Sequence, residues 1–163
     1  MGRRAESLAA RIEEGAAGLA AFAEGVSETE WHTPVPGSGR DGRSVGVIVH
    51  HVASVYSIEI DLARTIASGT AVTDVTWEAV ADMNAKHAAD QVSVTKTVAI
   101  ELLRKNSRQA AAAVRAFTDD ELDRAASFSL SFGAPVTAQF VIEDHAVRHS
   151  WHHLARIRAA LHR

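Results

Sequence analysis

Helix-breaking residues are scarce in this sequence, and their scarcity is the strongest constraint on its fold. Only three prolines occur in 163 residues, at Pro34, Pro36 and Pro135. Proline interrupts the hydrogen bonds of a helix interior, whereas alanine favours helix formation, so the long alanine-rich stretches between these positions predict helices. The sequence therefore predicts an all-α protein.

Four long segments repeat apolar residues at intervals of three and four, which is the spacing of one buried helix face. The first covers about residues 3–25, and the second runs from about Ser44 to Ala67. The third is marked by apolar positions across residues 100–117, and the fourth runs from about Pro135 to Leu161. Four helices of this length predict a four-helix bundle.

Capping signals mark where some of these helices begin. Ser27 with Glu30, and Thr118 with Glu121, have the spacing of capping boxes, in which each side chain binds the other residue's backbone N–H. Residues 33–43 are rich in proline and glycine and are therefore expected to form a connection.

The link between the second and third long helices is unusually long. Residues 69–92 are predicted to contain a further helix around TWEAVADMNAKHA, so this connection crosses over rather than turning tightly. SFSLSF, at residues 127–132, alternates like a strand, but an isolated strand has nothing to pair with, so irregular structure is expected there. The length fits a single domain spanning residues 1–163.

Composition excludes several classes of function. The chain contains no cysteine, which removes disulfide scaffolds, thiolate zinc sites and a cysteine nucleophile. A net charge of -3 and a pI near 6.3 give no global attraction for nucleic acid. No uninterrupted apolar run approaches the roughly 20 residues that span a bilayer, and the N-terminal residues lack the apolar stretch of a secretory signal. We therefore expect a soluble cytoplasmic protein without nucleic-acid or membrane partners.

Histidines in two distant segments provide the clearest chemical signal. His149 and His153 are four residues apart, which places both imidazoles one turn apart on one helix face, the spacing that metal chelation from one helix requires. On the second helix, His51 shares a face with Val55, Ile48 and Leu62 and should point inward, whereas His50 points away from them. His51, His149 and His153 are therefore predicted to be metal ligands.

Other interpretations of these histidines remain open. A single inward histidine such as His51 is more often a hydrogen-bonded core residue than a ligand. His145 is also four residues from His149 and could replace His153, or it could contact a substrate. The first histidine of HSWHH is not followed by the glutamate of HExxH, which excludes that motif and its general base. His32, His87 and His162 are interpreted as surface or loop residues.

The sequence resembles the DinB/YfiT-like superfamily over almost its whole length. The resemblance is carried by His51-Val-Ala-Ser on the second helix and by HSWHHLARIRAAL on the last. The dipeptide EW before the proline-rich loop and the segment TDDEL also fit. Many members continue HxxxH with Gly-Gln, where this chain has Ala155 and Arg156; Arg156 could instead offer a cation to an anionic substrate.

The resemblance implies a four-helix bundle with up-down-down-up order, often a homodimer. It also implies a divalent metal such as zinc or nickel, held by His51, His149 and His153. Characterised branches include transferases and isomerases that use low-molecular-weight thiols such as bacillithiol or mycothiol. The leading expectation is therefore a metal-dependent, thiol-dependent S-transferase or isomerase that acts on a small molecule.

Two other functions stay open. One is metal-assisted hydrolysis, for which Glu59, Glu143, Asp144 and His145 are candidate general bases by their sequence or wheel positions. The other is a non-catalytic stress-response or interaction module. His145 and Arg156 are the candidate catalytic residues outside the predicted ligand set.

Overall fold

The computed structural model describes residues 2–37 and 43–163, and it is built mainly from helices. The long helices are α1 (Arg3–Glu24), α3 (Val45–Ala67) and α5 (Lys96–Arg115), together with a final helical stretch that begins at Ala138 and ends at Leu161. The short helices are α2 (Glu28–Trp31), α4 (Trp77–Asp90) and α6 (Asp119–Asp123). Both predicted capping boxes are present, at Ser27 with Glu30 and at Thr118 with Glu121.

Ion pairs show that α1 and α5 run in opposite directions. Arg115, at the end of α5, pairs with Glu6 near the start of α1, and Arg104 pairs with Glu24 at its end. By contrast, α1 is parallel to the final helix, because Arg11 pairs with Glu143 and the Arg158 guanidinium lies 5.3 Å from the centre of the Phe22 ring.

The second and third long helices run parallel to each other. Asn106 of α5 donates a hydrogen bond to the Ala53 carbonyl of α3, and further along both helices Arg64 and Ala113 line one surface recess. Two parallel neighbours cannot be joined by a tight turn, since the chain must return along about 34 Å of helix. The bundle is therefore up-down-down-up, and the predicted crossover between the second and third long helices, containing α4, is confirmed.

The region before the last helix differs from the sequence prediction. Strand β1 (Ala125–Ser127) pairs antiparallel with β2 (Pro135–Thr137), and a 3₁₀ turn at Ser129–Ser131 lies between them. SFSLSF is mostly irregular, as expected, since only Ser127 belongs to β1. The expectation that no strand partner exists nearby was wrong, because Pro135 lies in an extended segment rather than opening the helix. Thr137 caps that helix by accepting a hydrogen bond from the Phe140 N–H.

The final helix contains a π-helical segment and is not a uniform α-helix. It consists of α7 (Ala138–Val141), a π segment (Ile142–Val147) and α8 (Arg148–Leu161). A π turn inserts extra chain into the helix and so rotates the residues on either side relative to each other. Angular positions calculated for a regular helix therefore hold within α8 but not across the π segment.

The second long helix, α3, is long and apolar enough to cross a membrane by length and composition, contrary to the expectation from the sequence. Counting uninterrupted apolar residues misses it, because His50, His51 and Glu59 interrupt an otherwise apolar helix. About two thirds of the qualifying window, 67%, is buried inside the bundle, and the core helix of a soluble protein meets the same criteria.

Candidate metal centre

Two antiparallel helices bring the predicted ligands together. His51 lies on α3, and His149 and His153 lie one turn apart on α8. His51 and His153 are only 4% and 5% exposed, although most of their neighbours on these helix faces are apolar. The Tyr56 hydroxyl and the Ser150 hydroxyl are hydrogen-bonded at 2.7 Å, which fixes α3 and α8 beside the cluster.

The three imidazoles converge on a common centre. One ring nitrogen from each of His51, His149 and His153 lies within 4.8 Å of the other two. The ring centroid of His51 lies 5.1 Å from that of His149 and 5.6 Å from that of His153. Nitrogens bound to one tetrahedral zinc at about 2.0–2.1 Å lie about 3.4 Å apart, so small side-chain rotations bring this set into binding distance.

The electrostatics of the cluster favour neutral imidazoles, which are the form that binds metals. Burial, reinforced by the neighbouring His149, lowers the pKa of His51 to about 2. Burial and the same neighbour also hold the pKa of His153 far below its ordinary value. The Nδ1 atoms of His51 and His153 are buried and have no hydrogen-bond partner among the described residues. Unpartnered buried nitrogens in a histidine cluster fit a metal better than a closed core network.

Glu59 orients one of the imidazoles. Its Oε1 atom lies 2.5 Å from His149 Nδ1, and the carboxylate is almost fully buried, with 7% of its side chain exposed. A carboxylate that accepts the Nδ1 hydrogen of a histidine fixes the ring and leaves Nε2 free to bind a metal. The sequence offers Glu59 only as a candidate general base, because its position beside His149 depends on how α3 and α8 pack.

We expect Glu59→Ala to weaken metal affinity by about 10–100-fold, the usual effect of removing the carboxylate partner of a histidine ligand. The matched control is Asp61→Ala, because Asp61 is an exposed carboxylate on the same helix that pairs with Arg64. Competition titrations with a chromophoric chelator would measure both variants. Equal affinities for the wild type and Glu59→Ala would show that Glu59 does not support the site.

His145 lies beside the cluster but outside it. Its ring packs edge-on against Phe128, with centroids 5.7 Å apart, and its Nε2 lies 3.8 Å from an Asp144 carboxylate oxygen. Burial is the main cause that lowers the pKa of His145 below its ordinary value. The structure thus groups His153, rather than His145, with His51 and His149. That these three are the ligands remains a prediction.

Arg156 occupies the rim of the same cleft. Its guanidinium donates a hydrogen bond to the Pro36 carbonyl at 2.9 Å. To bind an anionic substrate, as predicted, Arg156 would have to give up its hydrogen bond to the Pro36 carbonyl.

His87 was wrongly interpreted as a surface or loop residue. It lies on α4, where its Nε2 is 2.9 Å from His50 Nδ1 and its ring centroid is 5.6 Å from that of His51. Burial lowers the pKa of His87 to about 4. Local sequence gives no signal for this placement, which depends on where the crossover carries α4.

The histidines open into a cleft of about 350 Å³. The π segment and α8 contribute only polar side chains to it, among them His145, Arg148 and His152. The side contributed by α4 is mainly apolar and includes Trp77 and Met83. The candidate metal centre therefore lies in a small cavity with chemically different walls.

Comparison with known proteins identifies a family and solved structures with a similar fold. A model of the DinB superfamily matches residues 11–157. YfiT from Bacillus subtilis, described as a probable metal-dependent hydrolase with an unusual four-helix bundle topology, superimposes with a TM-score of 0.73 at 20% sequence identity. The similarity covers 99% of this chain and 89% of that one, and at this identity it shows a shared fold. No protein with a curated function matches the sequence.

Proposed function

Because this chain belongs to the DinB superfamily, we propose that it is a metal-dependent enzyme whose centre is formed by His51, His149 and His153. The observation that carries the proposal is the convergence of three imidazole nitrogens at the cleft, two of them on the buried His51 and His153, with Glu59 hydrogen-bonded to the ring of His149. Imidazole ligands suit zinc and nickel among the common divalent metals. With only three protein ligands, such a metal supplies Lewis-acid polarisation at its open coordination positions.

Hydrolysis is the reaction that the surrounding side chains support best. His145 lines the cleft, and its lowered pKa keeps the imidazole neutral at pH 7, so it can accept a proton from a water nucleophile. Asp144 is close enough to orient it through a small side-chain movement. The description of YfiT as a probable metal-dependent hydrolase is consistent with this choice.

Transfer of a low-molecular-weight thiol is the second candidate. Of the two oxygens of Glu59, Oε1 is engaged by His149, which leaves only Oε2 to accept a proton. A thiol needs less help than water, because its pKa of about 8.5 lies close to neutral pH. In this reaction the S–H bond would break, with its proton passing to solvent or to His145. The sulfur would form a bond to an electrophilic carbon, which would release its leaving group together with the bonding electron pair.

The test measures metal content first and then compares two reactions on the same preparation: hydrolysis of aryl esters and amides, and transfer of a thiol to an electrophile. For the hydrolase, we expect His145→Gln to lower the rate by about 10²–10⁴-fold, the usual contribution of a general base, with metal content unchanged. His152→Gln, on the same cleft, is the matched control.

Each result selects one conclusion. Hydrolysis that depends on His145 supports the hydrolase. Thiol transfer without hydrolysis supports the second candidate. Protein that binds no divalent metal would overturn both.

A further inference from the structure

The cleft has an exposed apolar side that the metal centre does not explain. Ile58, Trp77 and Met83 all line it, and they are 44%, 53% and 39% exposed. Eight large hydrophobic residues are exposed in the described part of the chain, so three of the eight meet in one small cavity. Exposed apolar side chains grouped beside polar groups are typical of a ligand site.

This apolar wall is formed by Ile58 of α3 and by Trp77 and Met83 of α4, and contacts at both ends of α4 hold that helix in place. At the start of the helix, the Trp77 indole donates a hydrogen bond to the Leu130 carbonyl at 3.1 Å. Towards its end, His87 contacts His50 of α3. Helix α4 has no fully buried residue of its own, so these contacts position it across the cleft without inserting it into the core. The wall is therefore preformed.

The charged groups on the opposite rim are already engaged. Arg148 pairs with Asp144 at 3.1 Å, and Arg156 donates to the Pro36 carbonyl. The apolar wall is thus an exposed recognition surface of this cleft, which Arg43 and Glu59 also line. Its ligand must contact the wall and the histidines together, within about 350 Å³, which is near the lower limit of small-molecule sites.

We infer that the substrate carries an apolar group, the size of a phenyl ring or a short acyl chain, which packs on Ile58, Trp77 and Met83 while its polar reacting group lies at the histidines. This inference rests on the proposed metal-dependent function. It adds the class of substrate: a small aryl or acyl compound rather than a sugar, a peptide or another wholly polar molecule.

The test compares two hydroxamates on metal-loaded protein by calorimetric titration. Acetohydroxamate and phenylacetohydroxamate share the same metal-binding head, and only the second has an aromatic group. We expect the phenyl compound to bind at least tenfold more tightly, a difference of about 1.4 kcal/mol. Ile58→Asn and Met83→Asn should each remove most of this preference. Val98→Asn is the matched control, because Val98 is similarly exposed, at 52%, and lies on α5 outside the cleft.

Metal content and helicity are measured on every variant before titration. These measurements distinguish failure of the substrate inference from failure of the proposed metal centre. If the protein holds metal and binds both hydroxamates equally, or if the preference survives in both wall variants, the inference is overturned while the metal centre stands. If the wild type holds no metal, the proposed function fails, and the inference fails with it. A preference lost in both wall variants and kept in Val98→Asn supports it.

Discussion

Alanine at His51, His149 or His153 should strip the protein of its divalent metal. Each substitution leaves only two imidazole ligands, and catalytic metal sites of this kind require three protein ligands to hold the ion. The loss in affinity should exceed the roughly 10–100-fold effect of removing an outer-shell partner. Elemental analysis after dialysis should fall from about one metal per wild-type chain to a small fraction in each variant, as expected for one site built from these ligands.

Two neighbouring histidines provide the controls for this result. His145 and His152 line the same cleft and lie on the same final helix, but neither belongs to the converging set. His145→Ala and His152→Ala should therefore keep their metal. Loss of metal in His145→Ala with retention in His153→Ala would reassign the ligand, and unchanged content in all three ligand variants would refute the site.

Local chemistry explains what could be predicted about the fold. The capping box at Ser27 and Glu30 lies within four residues, and Ser44 caps α3 by accepting a hydrogen bond from the Val47 N–H. Such contacts are encoded by neighbouring side chains, so helix starts could be located from the sequence alone. The inward position of His51 could be predicted for the same reason, since the face of a regular helix follows from its period.

Contacts between distant segments explain what could not be predicted. Glu59 meets His149 only because α3 and α8 pack antiparallel, and His87 reaches His50 only because the crossover places α4 over α3. Pro135 was assigned to a helix because its strand partner lies eight residues upstream, at Ser127, beyond a turn. None of these pairings has a signature within a single helix or loop.

The π segment also distinguishes two histidines that have the same spacing from His149. His145 and His153 are each four residues from His149, but only the pair His149 and His153 lies wholly within the regular helix α8. The spacing from His145 crosses the end of the π segment, where the regular helical period no longer applies. This is the physical reason why the i, i+4 argument holds for one pair and fails for the other. Residues 142–147 contain no proline, so the sequence does not indicate the π segment.

The metal-free protein should lose stability as the pH falls from about 6.5 to 5. In the folded state the pKa of His51 is lowered to about 2, mainly by burial, and that of His153 is lowered for the same reason. In the unfolded chain both titrate near 6.5. Below that pH the unfolded chain binds protons that the folded protein excludes, so the free energy of unfolding falls by about 1.4 kcal/mol per pH unit for each group.

The two histidines together should lower the free energy of unfolding by up to about 4 kcal/mol at pH 5, a large share of the roughly 5–15 kcal/mol typical of a domain. Urea unfolding of chelator-treated protein at several pH values would measure it. The carboxyl groups whose pKa is lowered, such as those of Glu6 and Glu13, start from 4.5 and act below this window. His51→Asn should reduce the decline at pH 5 by about 2 kcal/mol, because one excluded proton is gone. The rest comes from His153 and from other histidines whose pKa burial lowers, such as His87 and His145. A free energy of unfolding that stays constant from pH 7 to 5 would mean that the cluster accepts protons without opening, and the buried, neutral histidines required for metal binding would not exist.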